Sequence, residues 1–505
     1  MDHKKIFVLG MSPMPFENDR KVYGTGIRTW QFVRPLLEKG HRLCVVNYAI
    51  PSAYPSGFKG KSYKQYKYGK YDFQYHILNK QDFENTGKLL ELVHKFDPDC
   101  MVGCTFYPSY FGAKLKEVME SGRESKTVEP VPLWADLFGH VMAEAQARAY
   151  MDGDDTPLFH YWNSEYKILT RADIFSCVSG RQEYSTIGEL GAVGRLNRHT
   201  SGYKFTNTVP CGLPAEEYVH KKNAIRGKDG IGDKDFVILW TGGYNTWTDV
   251  DTLFEGLMLA MKKNSRIKFV STGGEIPEQD IRTYPHFLSK IKSSEFADRF
   301  VMRGWIAGED VPDHYFEADI GINIDKDIYE VRLGSKNRIL DWFRAGLCVL
   351  SSNVCELTDI MAAAGAGYVF KPGDAGNLAE KLIFLAGHPG EVGATGRAGK
   401  EFGFKEFSFS HTTTKLQAWV EDSVASPDWG KERKLFFEKE EALANLEDIA
   451  DRQNKMIRER DRKIAELEAI VKKGIAYKIY NYLKIGSRKL GPAGRDKKIK
   501  DHKKD

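Results

Sequence analysis

The stretch Gly334-Ser-Lys-Asn-Arg-Ile-Leu-Asp-Trp-Phe-Arg-Ala-Gly-Leu-Cys-Val-Leu350 has the pattern of a loop, an amphipathic helix, a glycine stop and a buried strand. Lys336 and Arg338 stand at the start of the helix, where free backbone N–H groups and the positive end of the helix dipole favour an anion. Asp341, three residues further along, can accept hydrogen bonds from a pair of sugar hydroxyls. A phosphate site beside a diol site indicates that a nucleotide binds here.

This stretch resembles the donor-site signature of the family-4 retaining glycosyltransferases of the GT-B fold. In that family the signature often reads Pro-Asn-Lys-Leu-Phe-Glu-Tyr-Met-Ala-Ala-Gly-x-Pro-Val. Here Arg338 stands where the family has its basic residue, and Asp341 stands where it has the glutamate that holds the donor ribose. Residues 298–320, with a strand, Gly-Trp and a helix ending in Ala-Asp, are also similar to the family. The resemblance implies a nucleotide-sugar donor and transfer with retention.

The order of elements predicts an α/β protein with two facing Rossmann-like domains, the GT-B architecture. Short apolar strands alternate with helical or loop-like segments, first from Ile6 and again from Phe236. In such sheets the ligand lies outside the carboxyl ends of the strands, and we expect it in the cleft between the two. The predicted segments are an acceptor domain (1–212), a nucleotide-sugar domain (213–405), a helix returning to the first domain with a linker (406–430), a coiled coil (431–473) and a basic amphipathic tail (474–505).

Composition limits the class of protein before any motif is considered. The 505 residues are 42% hydrophobic and 28% charged, which suits two globular domains and an extension. No run approaches the roughly 20 apolar residues of a membrane-spanning helix, and the start lacks the pattern of a signal peptide, so we expect a cytoplasmic protein. The seven cysteines are scattered without the spacing of a zinc site, which predicts reduced thiols.

The positive charge is concentrated at the C-terminal end. The net charge is +5, yet residues 472–505 alone contain twelve lysines and arginines and only three aspartates. The remainder is slightly acidic, which argues against nucleic-acid binding by the body of the protein. The tail instead suits contact with an anionic surface.

The expected phosphate site departs from the family at residues 241–249, where the family has Gly-Arg followed by Lys-Gly. Neither cation is present here. We therefore expect backbone N–H groups and cations elsewhere to hold the diphosphate, and glycines of the facing domain to let backbone amides approach it, although a plain tight turn also explains those glycines. The donor-binding candidates are Gly24, Gly26, Gly242, Gly243, Arg332, Lys336, Arg338 and Asp341.

Three residues are catalytic candidates. Asp136 and His140 follow a strand end, where the resemblance implies side chains directed at the transferred sugar; a satisfied polar residue near the cleft is the alternative. The first acidic residue of the family's pair would stand at Leu333, and Glu330 is the nearest substitute. Asp325-Lys-Asp327 has the spacing of a metal motif, but a solvated loop explains it better, so we expect no metal and no other cofactor.

The C-terminal region predicts self-association and membrane contact. Its residues from Leu443 to Val471 follow a heptad repeat with a polar middle, which favours a homo-oligomeric coiled coil over a single solvated helix. Gly474 then interrupts the pattern. A short apolar stripe with lysines precedes the basic tail and resembles an interfacial anchor, with a disordered tail as the alternative. The stripe consists of Ile475, Ile479, Tyr482 and Leu483.

Together these features predict a glycosyltransferase (a hexosyltransferase type) that is peripheral on the inner face of the cell membrane. The expected acceptor is a glycan or lipid-linked saccharide in the biosynthesis of a surface polysaccharide. Two other functions stay open. One is a non-catalytic nucleotide- or sugar-binding scaffold that oligomerises through its coiled coil, and the other is a different GT-B enzyme such as a nucleotide-sugar epimerase.

Overall fold

The computed structural model describes residues 3–17, 21–121, 131–277, 279–431 and 435–489. The chain divides into two units, Met1–Glu432 and Arg433–Asp505. The first unit contains two sheets, each forming a Rossmann-like domain, and these carry the residues expected at the nucleotide site.

The first domain is built on an eight-stranded sheet in the order β3-β4-β2-β1-β5-β6-β7-β8. All neighbours are parallel except the edge strand β3, which pairs antiparallel with β4. Its strands are β1 (Lys5–Ser12), β2 (Arg42–Ala49), β3 (Lys61–Tyr68), β4 (Tyr71–Leu78), β5 (Cys100–Gly103), β6 (Leu133–Asp136), β7 (Ile174–Cys177) and β8 (Thr206–Thr208). Its helices are α1 (Gly24–Glu38), α2 (Lys80–Phe83), α3 (Thr86–Phe96), α4 (Phe106–Ser121), α5 (Val141–Asp152), α6 (Leu158–Arg171) and α7 (Gly180–Ala192).

The second domain is built on a six-stranded, wholly parallel sheet in the order β11-β10-β9-β12-β13-β14. Its strands are β9 (Phe236–Thr241), β10 (Ile267–Thr272), β11 (Phe300–Met302), β12 (Ile320–Asn323), β13 (Cys348–Ser352) and β14 (Tyr368–Phe370). Its helices are α8 (Val250–Lys263), α9 (Thr283–Lys292), α10 (Val311–Glu317), α11 (Tyr329–Leu333), α12 (Asn337–Ala345), α13 (Glu356–Ala363), α14 (Ala375–Gly387) and α15 (Pro389–Phe407).

Buried apolar side chains cover both faces of each sheet, as the continuous apolar strands require. The chain then returns to the first domain through α16 (Phe409–Thr412) and α17 (Thr414–Glu421). Phe409, Leu416 and Val420 are buried in the core of the first sheet. The return ties the two domains together beyond the single linker between their sheets.

The N-terminus of α7 also joins the two domains. The backbone N–H groups of Gly180 and Arg181 donate to the Glu356 carboxylate on α13, at 2.9 and 3.1 Å. A carboxylate at this position satisfies two N–H groups that the helix leaves unpaired and interacts favourably with the helix dipole. Ser179 adds a hydrogen bond of 2.8 Å from its hydroxyl to the Leu333 carbonyl of α11.

The second unit contains one long helix, α18 (Leu435–Lys489), which continues through Gly474. The glycine expected to interrupt the heptad pattern therefore does not end the helix. Large apolar side chains are exposed along it, among them Leu446, Ile457, Ile464 and Leu467. The basic residues 490–505 of the predicted tail lie outside the described residues. No helix in the described ranges is both long and apolar enough to span a membrane.

Candidate functional site

Two helix N-termini meet between the domains. A Cβ atom placed on Gly24, the first residue of α1, would lie 3.0 Å from the Asn337 side-chain amide, and Asn337 is the first residue of α12. No side chain caps either helix at its N-cap residue, Tyr23 or Lys336. Two uncapped N-termini directed at one space concentrate backbone donors and positive dipole ends, which is the arrangement that binds phosphate.

Gly26 has a different reason to be glycine. A Cβ atom there would lie 1.9 Å from the Pro13 carbonyl oxygen, within the backbone of the loop that follows β1. Gly24 thus leaves the N-terminal end of α1, its mouth, open, whereas Gly26 allows α1 to pack on its own loop. The structure brings only the first of the two glycines next to the second domain.

Arg338 lies at the α12 mouth with part of its hydrogen-bonding capacity unused. Its guanidinium stacks 3.9 Å from the centre of the Trp240 ring, and Nη2 donates a long bond of 3.4 Å to the Gly243 carbonyl. Its Nη1 is buried without a partner within the described structure. Burial lowers the pKa of Arg338 from its usual value. An arginine held by ring stacking with an unpaired donor is prepared for an anionic ligand.

The Gly242–Gly243 turn supports this position. Gly242 has φ of +93°, and a Cβ atom on it would lie 3.7 Å from Arg338 Nη2. A Cβ atom on Gly243 would collide with the Ile276 side chain at 2.3 Å. The following helix α8 is capped by Asp249, which accepts from the Thr252 N–H at 3.1 Å. The N-terminus of α8 thus already has a carboxylate bound to it. The donors near this turn therefore come from Arg338 and the turn itself.

Lys336 lies between two carboxylates. Its Nζ atom is 3.6 Å from Asp325 Oδ1 and 4.0 Å from Glu330 Oε2. Burial opposes the charge of Lys336, but the two carboxylates raise its pKa above the ordinary value. Burial raises the pKa of Glu330 to about 7, because the attraction to Lys336 only partly offsets it. The structure thus places Glu330 beside the α12 mouth.

Arg332 is exposed and already paired. Its guanidinium forms a two-pronged ion pair with Asp327, at 2.5 and 2.8 Å, on the exposed surface. The neighbouring Asp325 is buried and accepts from the Asn323 amide at 2.8 Å. The two aspartates of the Asp-x-Asp spacing therefore have separate partners, and no group of three or more potential metal ligands occurs among the described residues.

Asp341 is one helical turn beyond Arg338 and is already oriented. Its Oδ1 accepts a hydrogen bond of 2.9 Å from the Tyr218 hydroxyl, and Tyr218 in turn stacks under the Arg344 guanidinium at 3.8 Å. Burial raises the pKa of Asp341, while Tyr218 and Arg344 oppose that rise. The Tyr218 hydroxyl thereby fixes the Asp341 carboxylate, whose remaining lone pairs can accept from a diol.

Asp136 is a structural residue in this fold. Its carboxylate is fully buried and pairs with Arg28 through two bonds of 2.7 and 2.9 Å. It also accepts from Ser176 Oγ at 2.7 Å and from the Thr105 N–H at 3.2 Å. Both oxygens are used within the core, so the expectation that Asp136 meets a sugar in the cleft is not supported by its position.

His140 lies nearer the cleft but is bonded at both ring nitrogens. Nδ1 accepts from the Ala143 N–H at 3.1 Å and so caps α5, and Nε2 is 2.6 Å from Glu189 Oε1. The preceding Phe138 has φ of +45°, which is unusual for a bulky residue, and lies 3.9 Å from a Cβ placed on Gly24. This loop therefore borders the α1 mouth.

One residue at this site was not anticipated from the sequence. Tyr218 comes from the segment joining the domains, and its hydroxyl orients Asp341. It stands in no motif and is remote from Asp341 in sequence, so no local signal could have identified it.

The second domain matches a known family. Residues 235–388 fit the family model described as "Glycosyl transferases group 1". The matched residues run from the start of β9 to the end of α14 and include Arg338 and Asp341. No functionally curated protein matches the sequence significantly.

Solved structures share the fold of the larger unit. Sucrose-phosphate synthase from Thermosynechococcus elongatus aligns with a TM-score of 0.58 at 14% identity, covering 83% of this chain and 98% of that one. HepE from Anabaena, in complex with UDP and glucose, aligns with 0.56 at 11% identity, covering 83% and 100%. A UDP-forming α,α-trehalose-phosphate synthase from Burkholderia vietnamiensis aligns with 0.58 at 10% identity, covering 83% and 98%.

At these identities the alignments establish the architecture, and the family model establishes the class of the second domain. The predicted α/β class with two facing Rossmann-like domains is confirmed. The resemblance inferred from the sequence is likewise confirmed: residues 235–388 match the group 1 glycosyl transferase model, and the solved structures share the two-domain fold of the larger unit.

Proposed function

We propose that this protein transfers a sugar, with retention, from a nucleotide-sugar donor to a glycan or lipid-linked saccharide. The single observation that carries the proposal is the α12 mouth, where an uncapped helix start, the unpaired Nη1 of Arg338 and the oriented Asp341 carboxylate lie within one helical turn. Phosphates and a ribose diol are the ligand groups that satisfy all three. The structure of the similarly folded HepE in complex with UDP-glucose supports the same class of donor.

The donor-binding groups would act mainly by positioning and by neutralising charge. In retaining transfer of this kind the bond from the sugar C1 to the diphosphate breaks while the acceptor oxygen bonds to C1 on the same face. The acceptor proton passes to the leaving diphosphate. Arg338, Lys336 and the helix N–H groups surround the place where negative charge develops, and fixed donors there stabilise the transition state.

The proposal requires no metal ion or other cofactor. Charge on the leaving diphosphate would be met by Arg338, by Lys336 and by the N-termini of α1 and α12. Arg332 is less suited to this role, because its guanidinium is exposed to solvent and paired with Asp327. Addition of a chelating agent should leave the transfer rate unchanged, whereas a metal requirement would appear as loss of activity and recovery on adding Mg²⁺ or Mn²⁺.

We propose further that α18 mediates self-association and that the C-terminal end contacts an anionic membrane on its cytoplasmic face. The exposed Leu443, Ile457, Ile464, Leu467 and Val471 follow the heptad positions, which supports a homo-oligomer. Exposed Ile475, Ile479, Tyr482 and Leu483 support interfacial contact. Such a location would suit a lipid-linked acceptor in the synthesis of a surface polysaccharide.

These two properties can be tested separately. Removing residues 474–505 should abolish sedimentation with vesicles containing anionic lipid, while the number of chains per particle in solution stays the same. Replacing Ile457 and Ile464 by Lys should reduce that number to one, and the resulting monomer should still bind the vesicles. Vesicle binding by the truncated chain would contradict the anchor.

A nucleotide- or sugar-binding scaffold is a second candidate, because residues 241–249 contain no cation. Tyr244 is buried against Trp240 there, and Asp249 caps α8. The scaffold would bind a nucleotide without consuming it. It also predicts that cellular function survives neutralisation of Asp341 and Arg338.

The test of catalysis is to incubate the protein with a panel of nucleotide sugars and lipid-linked saccharides and to measure nucleoside diphosphate release. Transfer predicts release from one donor, a product whose new bond keeps the anomeric configuration of that donor by NMR, and loss of both with Asp341→Ala. Tight binding of a donor with no release against any acceptor would favour the scaffold.

A further inference from the structure

The loops after β9 and β12 border the point where the strand order of the second sheet reverses. The two strands are neighbours, yet the chain leaves β9 toward β10 on one side and leaves β12 toward β13 on the other. In open parallel sheets a ligand lies outside the carboxyl ends of the strands at such a point. Trp247 belongs to the loop after β9 and therefore lies beside this crevice.

Hydrogen bonds fix the backbone around Trp247. The Thr248 N–H donates to the Asn245 carbonyl at 2.8 Å and closes a turn, and the Asn245 N–H donates to the Thr248 hydroxyl at 3.1 Å. The Trp247 carbonyl accepts from the Lys326 N–H at 2.8 Å, in the loop after β12. These bonds hold the turn that carries Trp247 against the loop after β12.

The indole of Trp247 is not part of the core. The residue is half-buried and belongs to none of the apolar clusters of the described structure. The Lys336 ammonium lies 5.5 Å from the centre of its ring. In the described part of the chain the ring pairs with no other aromatic ring, and its Nε1–H has no hydrogen-bond partner. Such an indole suits a ligand that has both apolar C–H groups and hydroxyl acceptors.

The groups of the proposed donor site have a definite order along α12. Asp341 lies within the helix, Arg338 is three residues nearer its start, and Lys336 is the N-cap residue. A nucleotide sugar has its ribose, diphosphate and sugar in the same order. With the ribose at Asp341 and the phosphates at the start of α12, the sugar reaches the end of the site where Trp247 lies beside Lys336; this step rests on the proposed function.

We infer that Trp247 is a specificity-determining residue whose indole stacks on the ring of the transferred sugar, a hexopyranose. The C–H groups on one face of the sugar cover the part of the indole that the protein leaves exposed, and this removes apolar surface from water. A free nucleoside diphosphate has the same ribose and phosphates but no sugar. The contact with Trp247 therefore favours the donor over the nucleoside diphosphate that transfer releases.

The test is calorimetric binding of UDP, ADP, GDP and dTDP and of UDP-glucose, UDP-galactose, UDP-N-acetylglucosamine, ADP-glucose, GDP-mannose and dTDP-glucose. It compares the donor that the wild type binds most tightly with that donor's own nucleoside diphosphate. Trp247→Ala should raise the Kd for the donor about 5-fold and the Kd for the diphosphate by less than about 2-fold. Trp247→Phe keeps an aromatic ring and should raise the donor Kd only about 2-fold. Trp162→Ala, which removes an exposed tryptophan from α6 of the first domain, is the matched control and should leave both Kd values unchanged.

Saturation-transfer NMR tests the stacking on the wild type itself. Irradiation of the aromatic protein protons should saturate the ring protons of the bound sugar, and this saturation, relative to that of the ribose protons, should fall in Trp247→Ala. No saturation of the sugar in the wild type, or equal effects of Trp247→Ala on donor and diphosphate, would overturn the role of Trp247 and leave the proposed function intact. Failure of the wild type to bind any of these nucleotides would overturn the proposed function together with the inference.

Discussion

Replacing Arg338 by Met should weaken nucleotide binding without unfolding the protein. The guanidinium stacks on Trp240 and makes one long bond to the Gly243 carbonyl, and its Nη1 has no partner in the described structure. A bound phosphate would supply the missing partner. Methionine keeps the length and can still pack on the indole, but it removes every donor.

The expected magnitude follows from the bond that is lost. A hydrogen bond between charged groups contributes about 1.5–3 kcal/mol, which corresponds to roughly a 10- to 150-fold increase in Kd. The effect on stability should be small because two contributions oppose each other. The stacking of Arg338 is worth about 0.5–2 kcal/mol, while relieving a buried unpaired donor returns about 1–3 kcal/mol.

The assay is calorimetric binding of a nucleoside diphosphate and of the free nucleoside, with thermal unfolding in parallel. Arg338→Met should weaken binding of the nucleoside diphosphate and leave binding of the free nucleoside nearly unchanged. Arg299→Met is the control, since Arg299 also stacks on an aromatic ring, Phe296 at 4.4 Å, but on another part of the domain. Equal diphosphate affinity in the wild type and Arg338→Met would refute the assignment of the phosphate site.

Four further substitutions test three carboxylates and a tyrosine that holds one of them. Asp341→Asn should raise the Kd for the nucleotide about 10-fold, because it removes the charged acceptor for the ribose diol. Tyr218→Phe should raise it about 2- to 5-fold, because the hydroxyl that orients the Asp341 carboxylate is lost. Because burial raises the pKa of Glu330 to about 7 from 4.5, the folded chain keeps a proton that the unfolded chain loses, so stability falls as pH rises from about 4.5 to 7. The Glu330→Gln variant should not show this loss of stability with rising pH. At pH 8 its free energy of unfolding in urea should exceed that of the wild type by up to about 3 kcal/mol, and near pH 4 the two values should be equal. Asp136→Asn should destabilise the fold by about 3–5 kcal/mol, because it leaves the Arg28 charge buried without its counter-charge; unchanged urea unfolding would show that the pair is dispensable.

The alternating strands were predictable because parallel strands covered on both faces are continuous apolar runs. The runs Cys100–Gly103, Phe300–Met302 and Tyr368–Phe370 are strands with the bounds that their apolar residues predict, and the other expected strands differ by a few residues. The α12 region was also predictable, since its N-terminal cations, amphipathic face and glycine stop at Gly346 are all local signals.

The β3–β4 hairpin was missed because its strands are polar and rich in lysine and tyrosine. Tyr63 and Tyr66 pack against Tyr75 on the buried side, while the lysines remain exposed on the edge strand. Charged residues on an edge strand oppose pairing with another chain, and they also hide the alternation that would identify a strand. The tyrosines therefore pack within the domain.

The candidate site was only partly predictable for reasons that differ by residue. Arg338 and Asp341 belong to one helix, so their proximity follows from helical spacing. Asp136 depends on Arg28, more than a hundred residues earlier, whose buried guanidinium turns the carboxylate into the core. Arg332 forms an ion pair with Asp327, five residues before it. The sequence spacing allows this pairing but does not require it.

The most direct test of the donor site is a crystal structure of the protein with a bound nucleoside diphosphate. Phosphate oxygens should lie within hydrogen-bond distance of Arg338 Nη1 and of the first N–H groups of α12, facing Gly24, and the ribose hydroxyls should bind Asp341. A nucleotide bound elsewhere, with Nη1 still unpaired and Asp341 without contact to the ribose, would contradict it.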